Sequence, residues 1–191
     1  MKARFDWKLH LKRLFPVYVS LIVTLPLLGS FMVNWKNKPK DKEVFSVVIA
    51  AELPDRAAFF KETKETLGDD ILEFNLWGSP YKDNFLENMS APILMSDILI
   101  FPEQALENLN ADSFVTFKED DAFVSSADWI VDGEHRGLQI YDGKDGHLKE
   151  SIQYTEEPYY VLVRKESAHA KSWGYGETDH VLDILETWFA K

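Results

Sequence analysis

Residues 14–33 are the longest apolar stretch of the chain, and none of these 20 residues is charged. As an α-helix the stretch would be about 30 Å long, which matches the hydrocarbon core of a bilayer. Trp35 follows where an aromatic side chain commonly anchors a helix at the membrane interface. The pattern therefore predicts a single transmembrane helix over residues 14–35.

The charges beside this stretch indicate its orientation. Residues 1–13 carry five Lys or Arg and one acid, and residues 36–43 carry four Lys and two acids. We expect a cytoplasmic basic segment at 1–13, a tether at 36–43 and an extracytoplasmic domain at 44–191 in the cell membrane. The alternative is a cleaved signal peptide. The apolar run exceeds the usual length of about 7–15 residues, and no clean small-x-small cleavage site follows it.

Beyond residue 43, the apolar positions follow strand and helix patterns in turn. Three segments are typical of buried or half-buried strands, at residues 44–51, 71–77 and 97–101. Helices are expected from Pro54 to Gly68, at residues 84–89 and at residues 102–109. This order predicts an α/β domain with a three-layer arrangement and a mixed, mainly parallel sheet.

The second half of the chain predicts further strands and one closing helix. Asp132-Gly133 separates two short apolar segments and predicts a hairpin or a pair of loops. Strands are also expected at residues 152–154 and 159–164. An amphipathic helix follows Asp179, with one apolar face formed by Val181, Ile184, Leu185 and Trp188.

Composition narrows the classes of function. Residues 44–191 contain 12 Lys or Arg and 29 Asp or Glu, a net charge of −17 that repels nucleic acid and anionic lipid. The chain has no cysteine, which excludes disulfides, thiolate catalysis and Cys-ligated metal. No P-loop, G-x-S-x-G or H-E-x-x-H motif is present. We therefore predict no catalytic residue, cofactor, metal site or nucleic-acid partner, and the acidic runs are expected to be solvated turns rather than Ca²⁺ sites.

Three stretches form a further pattern. Residues 45–67 are a strand followed by a helix, residues 96–103 are a strand ending in a short helix, and residues 137–141 and 159–165 are a pair of strands. In this order they resemble the first lobe of bacterial extracellular solute-binding proteins, which have the periplasmic-binding-protein-like type 2 fold. The resemblance implies a single lobe at the cell surface, beside a membrane protein such as an ABC transporter.

Five side chains are candidates for ligand binding. Tyr81 and Glu103 follow strands, where ligands of open α/β sheets bind, and Asp97 precedes the same strand as Glu103. Trp173 and Tyr175 lie in a Gly-rich loop that could stack its rings on a sugar. The alternatives are ordinary strand–loop junctions for the first three and aromatic packing on the core for the last two.

These features predict a non-enzymatic, membrane-anchored binding module, an accessory or sensing subunit beside a transporter or another membrane partner, with a small molecule as a ligand. One alternative is a cell-surface assembly protein that acts through protein–protein contacts. Another is a hydrolase that uses Asp97 and Glu103, which requires the two carboxyl groups to lie about 5–9.5 Å apart in a cleft.

Overall fold

The computed structural model describes residues 15, 19–20, 24–26 and 38–190. The predicted transmembrane helix at 14–35 lies mostly outside these residues, which include only 15, 19–20 and 24–26 of it. Within the described ranges, no helix is long and apolar enough to cross a membrane. The chain divides into two units, Met1–Lys38 and Pro39–Lys191, and the architecture below is that of the second unit.

One mixed sheet runs through residues 38–190, where it has six strands in the order β2-β1-β3-β6-β5-β4. The strands are β1 (Val44–Ile49), β2 (Glu73–Gly78), β3 (Ile98–Pro102), β4 (Trp129–Val131), β5 (Glu134–Asp142) and β6 (Pro158–Val163). β1 pairs in parallel with β2 and β3. We call the side where these three strands begin the amino end of the sheet, and the side where they finish the carboxyl end.

The α/β class and the mixed sheet agree with the prediction, but the sheet is not mainly parallel. Three of the five strand pairings in residues 38–190 are antiparallel. The Asp132-Gly133 turn joins β4 to β5, and both residues have positive φ, as a tight hairpin requires. Residues 143–157 then return to β6 without a helix, whereas a parallel pairing needs a crossover connection.

Five α-helices lie in residues 38–190, two of them long enough for more than two turns. They are α1 (Arg56–Leu67), α2 (Phe85–Asn88), α3 (Ser90–Met95), α4 (Glu103–Leu106) and α5 (His180–Phe189). The carboxylate of Asp55 accepts a hydrogen bond from the Ala58 amide at 2.9 Å and so caps α1. Gly68, with φ of 72°, ends the same helix.

Both faces of the sheet are covered. On one face, Phe45, Val47 and Ile49 of β1 pack in a core shared with α1 and α5. On the other face, Val48 and Ala50 pack in a core shared with α2 and α4. The alternation along β1 follows from the two-residue period of a strand. The sheet is therefore the middle of three layers.

The folded unit includes part of the predicted tether. Asp41–Glu43 form a 3-10 turn, and the Glu43 carbonyl accepts a hydrogen bond from the Leu72 amide at 2.8 Å. The ammonium of Lys42 lies 3.3 Å from the Glu177 carboxylate. The chain thus enters the domain at the amino end of the sheet.

Candidate functional site at the carboxyl end of the sheet

A cavity of about 220 Å³ lies at the carboxyl end of the sheet. Three segments form it: the residues after β1, the residues after β2 and the loop before β6. The lining side chains are Ala51, Glu52, Pro80, Tyr81, Gln153, Tyr154, Thr155 and Tyr159. Parallel β1 and β2 end side by side, so the loops that leave them converge where ligands of open α/β sheets bind.

Tyr81 is positioned by the core beneath it. Its ring centroid lies 5.5 Å from that of Phe85, which in turn packs edge-on against Phe101 of β3 at 5.7 Å. Tyr81 also lines a neighbouring cavity of about 390 Å³ that includes residues of α2. The partly buried ring therefore lines two neighbouring cavities. It lies after β2 at the carboxyl end of the sheet, where it was predicted, and ligand binding by Tyr81 stays a prediction.

Two further tyrosines, Tyr154 and Tyr159, line the same cavity. Tyr154 stacks on Tyr141 with ring centroids 4.5 Å apart, and it lies 4.9 Å from Tyr159. The Tyr154 hydroxyl donates to the carbonyl of His147 at 3.0 Å. Burial raises the pKa of both Tyr154 and Tyr159, so both phenols are neutral at physiological pH. Tyr159 is buried and both hydroxyls are hydrogen-bonded within the protein, so this wall offers a ligand mainly the uncharged, partly buried ring of Tyr154.

The rim of the cavity is polar. The backbone amide of Gln153 donates to the backbone carbonyl of Glu52 at 2.9 Å, and this bond holds the loop before β6 against the end of β1. This single bridge is the only pairing in the segment 152–154, where a strand was predicted. Thr155 places its hydroxyl 3.3 Å from that of Tyr159. The side chains of Glu52 and Gln153 are exposed and can meet a polar ligand, whereas the exposed Thr155 hydroxyl also donates to the Glu157 carboxylate at 3.2 Å.

Glu103 lies at the same end of the sheet, as predicted. It begins α4 and lines a third cavity, of about 500 Å³, together with Trp129 and Glu157. Gln104 lines both this cavity and the cavity of about 390 Å³. Its side-chain amide donates to the Glu157 carboxylate at 2.6 Å. The three adjoining cavities form what we call the carboxyl-end groove.

The charge of the carboxyl-end groove is negative. Its lining contains one lysine, Lys82, and six carboxylates, which are Glu52, Asp83, Glu87, Glu103, Glu107 and Glu157. A field of this sign disfavours anionic ligands and leaves neutral or cationic ones.

Asp97, in contrast, lies at the amino end and is buried, so it cannot bind a ligand in this groove. Its carboxylate accepts hydrogen bonds from the Ser46 amide at 2.8 Å and from the Ser167 hydroxyl at 2.6 Å. Burial raises the pKa of Asp97 from 3.8 to about 6, although both hydrogen bonds act to lower it. The residue holds β1, β3 and the loop after β6 together.

The predicted stacking pair also lies at the amino end, and it packs on the core. The Trp173 indole donates to the carboxylate of Asp121 at 3.1 Å, and its ring packs edge-on against Phe117 at 5.5 Å. Tyr175 packs against the same core and is half-buried. The alternative that we considered for these aromatics, packing rather than ligand stacking, therefore describes them better.

The carboxylate pair that a hydrolase would need is not formed. Asp97 and Glu103 flank β3 at opposite ends, and the five extended residues between them place their Cα atoms roughly 20 Å apart. The hypothesis based on this pair is wrong. Within the described residues, no group of three or more His, Asp or Glu side chains could hold a metal ion.

A second buried carboxylate, Asp128, has a serine and a histidine beside it. The Ser125 hydroxyl lies 3.1 Å from one oxygen, and His135 Nδ1 lies 3.2 Å from the other. The backbone amide of Gln139 also donates to this carboxylate, at 3.0 Å. Because Ser125 and His135 both bind Asp128 instead of each other, the group organises a loop and does not form a nucleophile–base pair.

Sequence analysis missed Tyr154 and Tyr159. Tyr154 precedes β6, and Tyr159 is the second residue of β6. β6 runs antiparallel to β3. An antiparallel strand begins where its parallel neighbours end, so an antiparallel assignment would have placed Tyr159 beside Tyr81. The signal available was the loop at 143–157, which lacks a helical pattern.

The chain was also compared with known proteins. No family model, no curated protein and no solved structure matches it.

Proposed function

We propose that this protein is a membrane-anchored extracytoplasmic binding module, without catalysis of its own, that acts as an accessory or sensing subunit beside a membrane transporter or another membrane partner. The anchor is the apolar stretch at residues 14–33, which is uncharged and long enough to span a bilayer. The module is the α/β domain, whose resemblance to one lobe of a type 2 solute-binding protein suggests a bacterial cell-surface role.

The observation that carries the proposal is the tyrosine-walled cavity at the carboxyl end of the sheet. Tyr81 and Tyr154 line it from separate segments, and Glu52, Gln153 and Thr155 are its exposed polar lining. Binding sites for small molecules combine apolar or aromatic walls with a few polar groups in this way.

The same lining indicates the class of ligand. Tyrosine faces suit a ligand with an apolar or CH-rich face, and the rim offers a carboxylate, an amide and a hydroxyl. The six carboxylates of the carboxyl-end groove disfavour anions. We therefore expect a small, neutral or cationic, polar solute.

Thermal unfolding of the full chain in detergent tests the site, with a panel of mono- and disaccharides, neutral and basic amino acids and polyamines as probes. A ligand at about 100 times its Kd stabilises a protein by roughly 2.7 kcal/mol, which raises the Tm of a domain of this size by about 5–10 °C. Tyr81→Ala should abolish the shift that any of these probes produces.

Tyr175→Ala is the matched control, because Tyr175 is also a half-buried tyrosine but lies at the amino end. It should retain the shift. A partner should be recovered when the tagged full chain is isolated from its native membranes. No shift with any probe, combined with no recovered membrane partner, would contradict the proposal.

A second candidate is a cell-surface assembly protein. The observation that favours it is a set of exposed apolar side chains at the amino end, Leu72, Leu94 and Met95. Recovery of a structural surface protein whose binding survives Tyr81→Ala but not Met95→Ser would favour this candidate.

A further inference from the structure

The three most exposed large apolar side chains in residues 38–190 all lie at the amino end of the sheet. They are Met95, Leu72 and Leu94, with 70%, 69% and 68% of their surface exposed. Leu72 immediately precedes β2, and Leu94 and Met95 end α3, just before β3. β1 lies between β2 and β3, so the three side chains flank the start of β1. We call them the amino-end apolar patch.

The backbone that carries the patch is fixed. The buried guanidinium of Arg164 donates from Nη1 to the carbonyl of Ile93 at 3.2 Å and also to the carbonyl of Leu94. Its Nη2 is paired with the Glu166 carboxylate at 2.7 Å. Arg164 thus satisfies carbonyl groups that the end of α3 leaves unpaired. Leu94 and Met95 are therefore held outward on an ordered turn.

The chain enters the domain within this patch. The Glu43 carbonyl accepts from the Leu72 amide at 2.8 Å, and the Ser46 carbonyl accepts from the Asp97 amide, two residues after Met95, at 2.8 Å. Residues 34–40 are the seven that separate the apolar stretch from the turn at Asp41. Seven residues reach at most about 25 Å. Because Glu43 and Ser46 are hydrogen-bonded to residues at the starts of β2 and β3, the tether leaves the domain at the amino end of the sheet.

We propose that the amino-end apolar patch docks on the lipid bilayer, with its three side chains inserted at the interface, so that the carboxyl-end groove faces away from the membrane. This inference rests on the membrane anchor of the proposed function. The carboxyl-end groove lies about 20 Å further along β1, which has six residues. Docking of the patch therefore leaves the ligand cavity on the side of the domain that is away from the bilayer.

Charge around the patch indicates how docking works. The linker contributes Lys36, Lys38 and Lys40, while Asp69, Asp70 and the exposed Glu73 stand close to Leu72 in the sequence. These charges are mixed in sign, so attraction to anionic headgroups is weak. Docking is driven by burial of the apolar side chains and persists on zwitterionic lipid and at raised salt.

Site-directed fluorescence in nanodiscs tests this, and the chain has no cysteine to remove. The full chain is placed at one copy per disc of phosphatidylcholine containing headgroup-nitroxide lipid. A bimane label at Leu94→Cys should be quenched several-fold more than a label at Lys82→Cys, which lies at the carboxyl end. The paired change Leu72→Ser and Met95→Ser should remove most of the quenching at position 94.

A label at Ser20→Cys, with nitroxide on the acyl chains, reports the anchor separately. If Ser20→Cys is not quenched, the membrane anchor of the proposed function is wrong. If Ser20→Cys is quenched but Leu94→Cys is no more quenched than Lys82→Cys, the anchor stands and docking is wrong. If the fluorescence of the label at position 94 changes only in discs that hold two copies, the patch binds a second copy of the chain and lipid docking is wrong.

Discussion

The Ser167 hydroxyl donates a hydrogen bond to the Asp97 carboxylate at 2.6 Å, and both side chains are buried. The same hydroxyl accepts from the backbone amide of His169 at 3.1 Å. The other Asp97 oxygen binds the Ser46 amide of β1. One carboxylate therefore connects β1, the start of β3 and the loop after β6, and three predictions follow from this end of the sheet and its loops.

The first prediction concerns pH. Burial raises the pKa of Asp97 from 3.8 to about 6 in the folded protein, so between these values the folded state binds more protons than the unfolded state. This group therefore lowers the free energy of unfolding as pH rises from about 4 to 6, by roughly 3 kcal/mol. Asp97→Asn should remove this contribution, and urea unfolding of both proteins across that range would measure the difference.

His169 and His180 act in the opposite direction. Burial lowers the pKa of both imidazoles, so their contribution to stability is present above about pH 6.5 and is lost as pH falls. For this reason the test is the difference between wild type and Asp97→Asn at each pH, not the wild-type curve alone. Asp69→Asn, at an exposed carboxylate, controls for the loss of one charge. A wild-type minus Asp97→Asn difference that is constant from pH 4 to 6 would contradict the prediction.

The second prediction concerns the loop before α5. Gly176 has φ of 76°, and a Cβ added there would lie 2.4 Å from the carbonyl carbon and oxygen of Ala168. That carbonyl already accepts the amides of Glu177 and Thr178, so it cannot move without breaking both bonds. We expect Gly176→Ala to destabilise the domain by about 3 kcal/mol or more in thermal or urea unfolding.

Gly174→Ala is the matched control in the same loop. Gly174 also has a positive φ, of 86°, but nothing lies within 4 Å of the position of an added Cβ. Its substitution should cost only about 1 kcal/mol, the strain of a left-handed alanine. Equal losses of stability in the two variants would mean that the close approach to Ala168 is not what requires glycine.

The third prediction concerns Trp173. Trp173→Phe keeps a ring against Phe117 but removes the indole hydrogen bond to Asp121. The loss of stability should be about 1 kcal/mol, and it should largely disappear when the change is made in an Asp121→Ala background. The thermal shift produced by any solute that binds near Tyr81 should be unchanged. If Trp173→Phe loses the ligand-induced thermal shift, Trp173 does take part in ligand binding.

Much of the secondary structure could be predicted from local patterns. The apolar run at 44–51 is a central strand, the segment between Pro54 and Gly68 is a helix, and Asp132-Gly133 is a hairpin turn. Each of these depends on residues that are close in the sequence: a continuous apolar run, an N-cap with a terminal glycine, and a turn that needs positive φ.

The candidate site could be predicted only in part. Tyr81 and Glu103 follow parallel strands, and that position alone placed them at the carboxyl end. Asp97 and Glu103 are six residues apart, yet an extended strand carries them to opposite ends of the sheet. Tyr154 and Tyr159 reach the cavity because β6 runs antiparallel to β3, and nothing local to those residues encodes the partner strand.

The sequence by itself determined the acidic α/β domain, its main strands and helices, and the long uncharged stretch before it, because periodicity, caps and composition are local properties. The tertiary structure alone decided the strand order, the burial of Asp97 and Trp173, and the grouping of Tyr81 with Tyr154 and Tyr159. The physical reason is that strand pairing and side-chain burial depend on contacts between residues far apart in the chain.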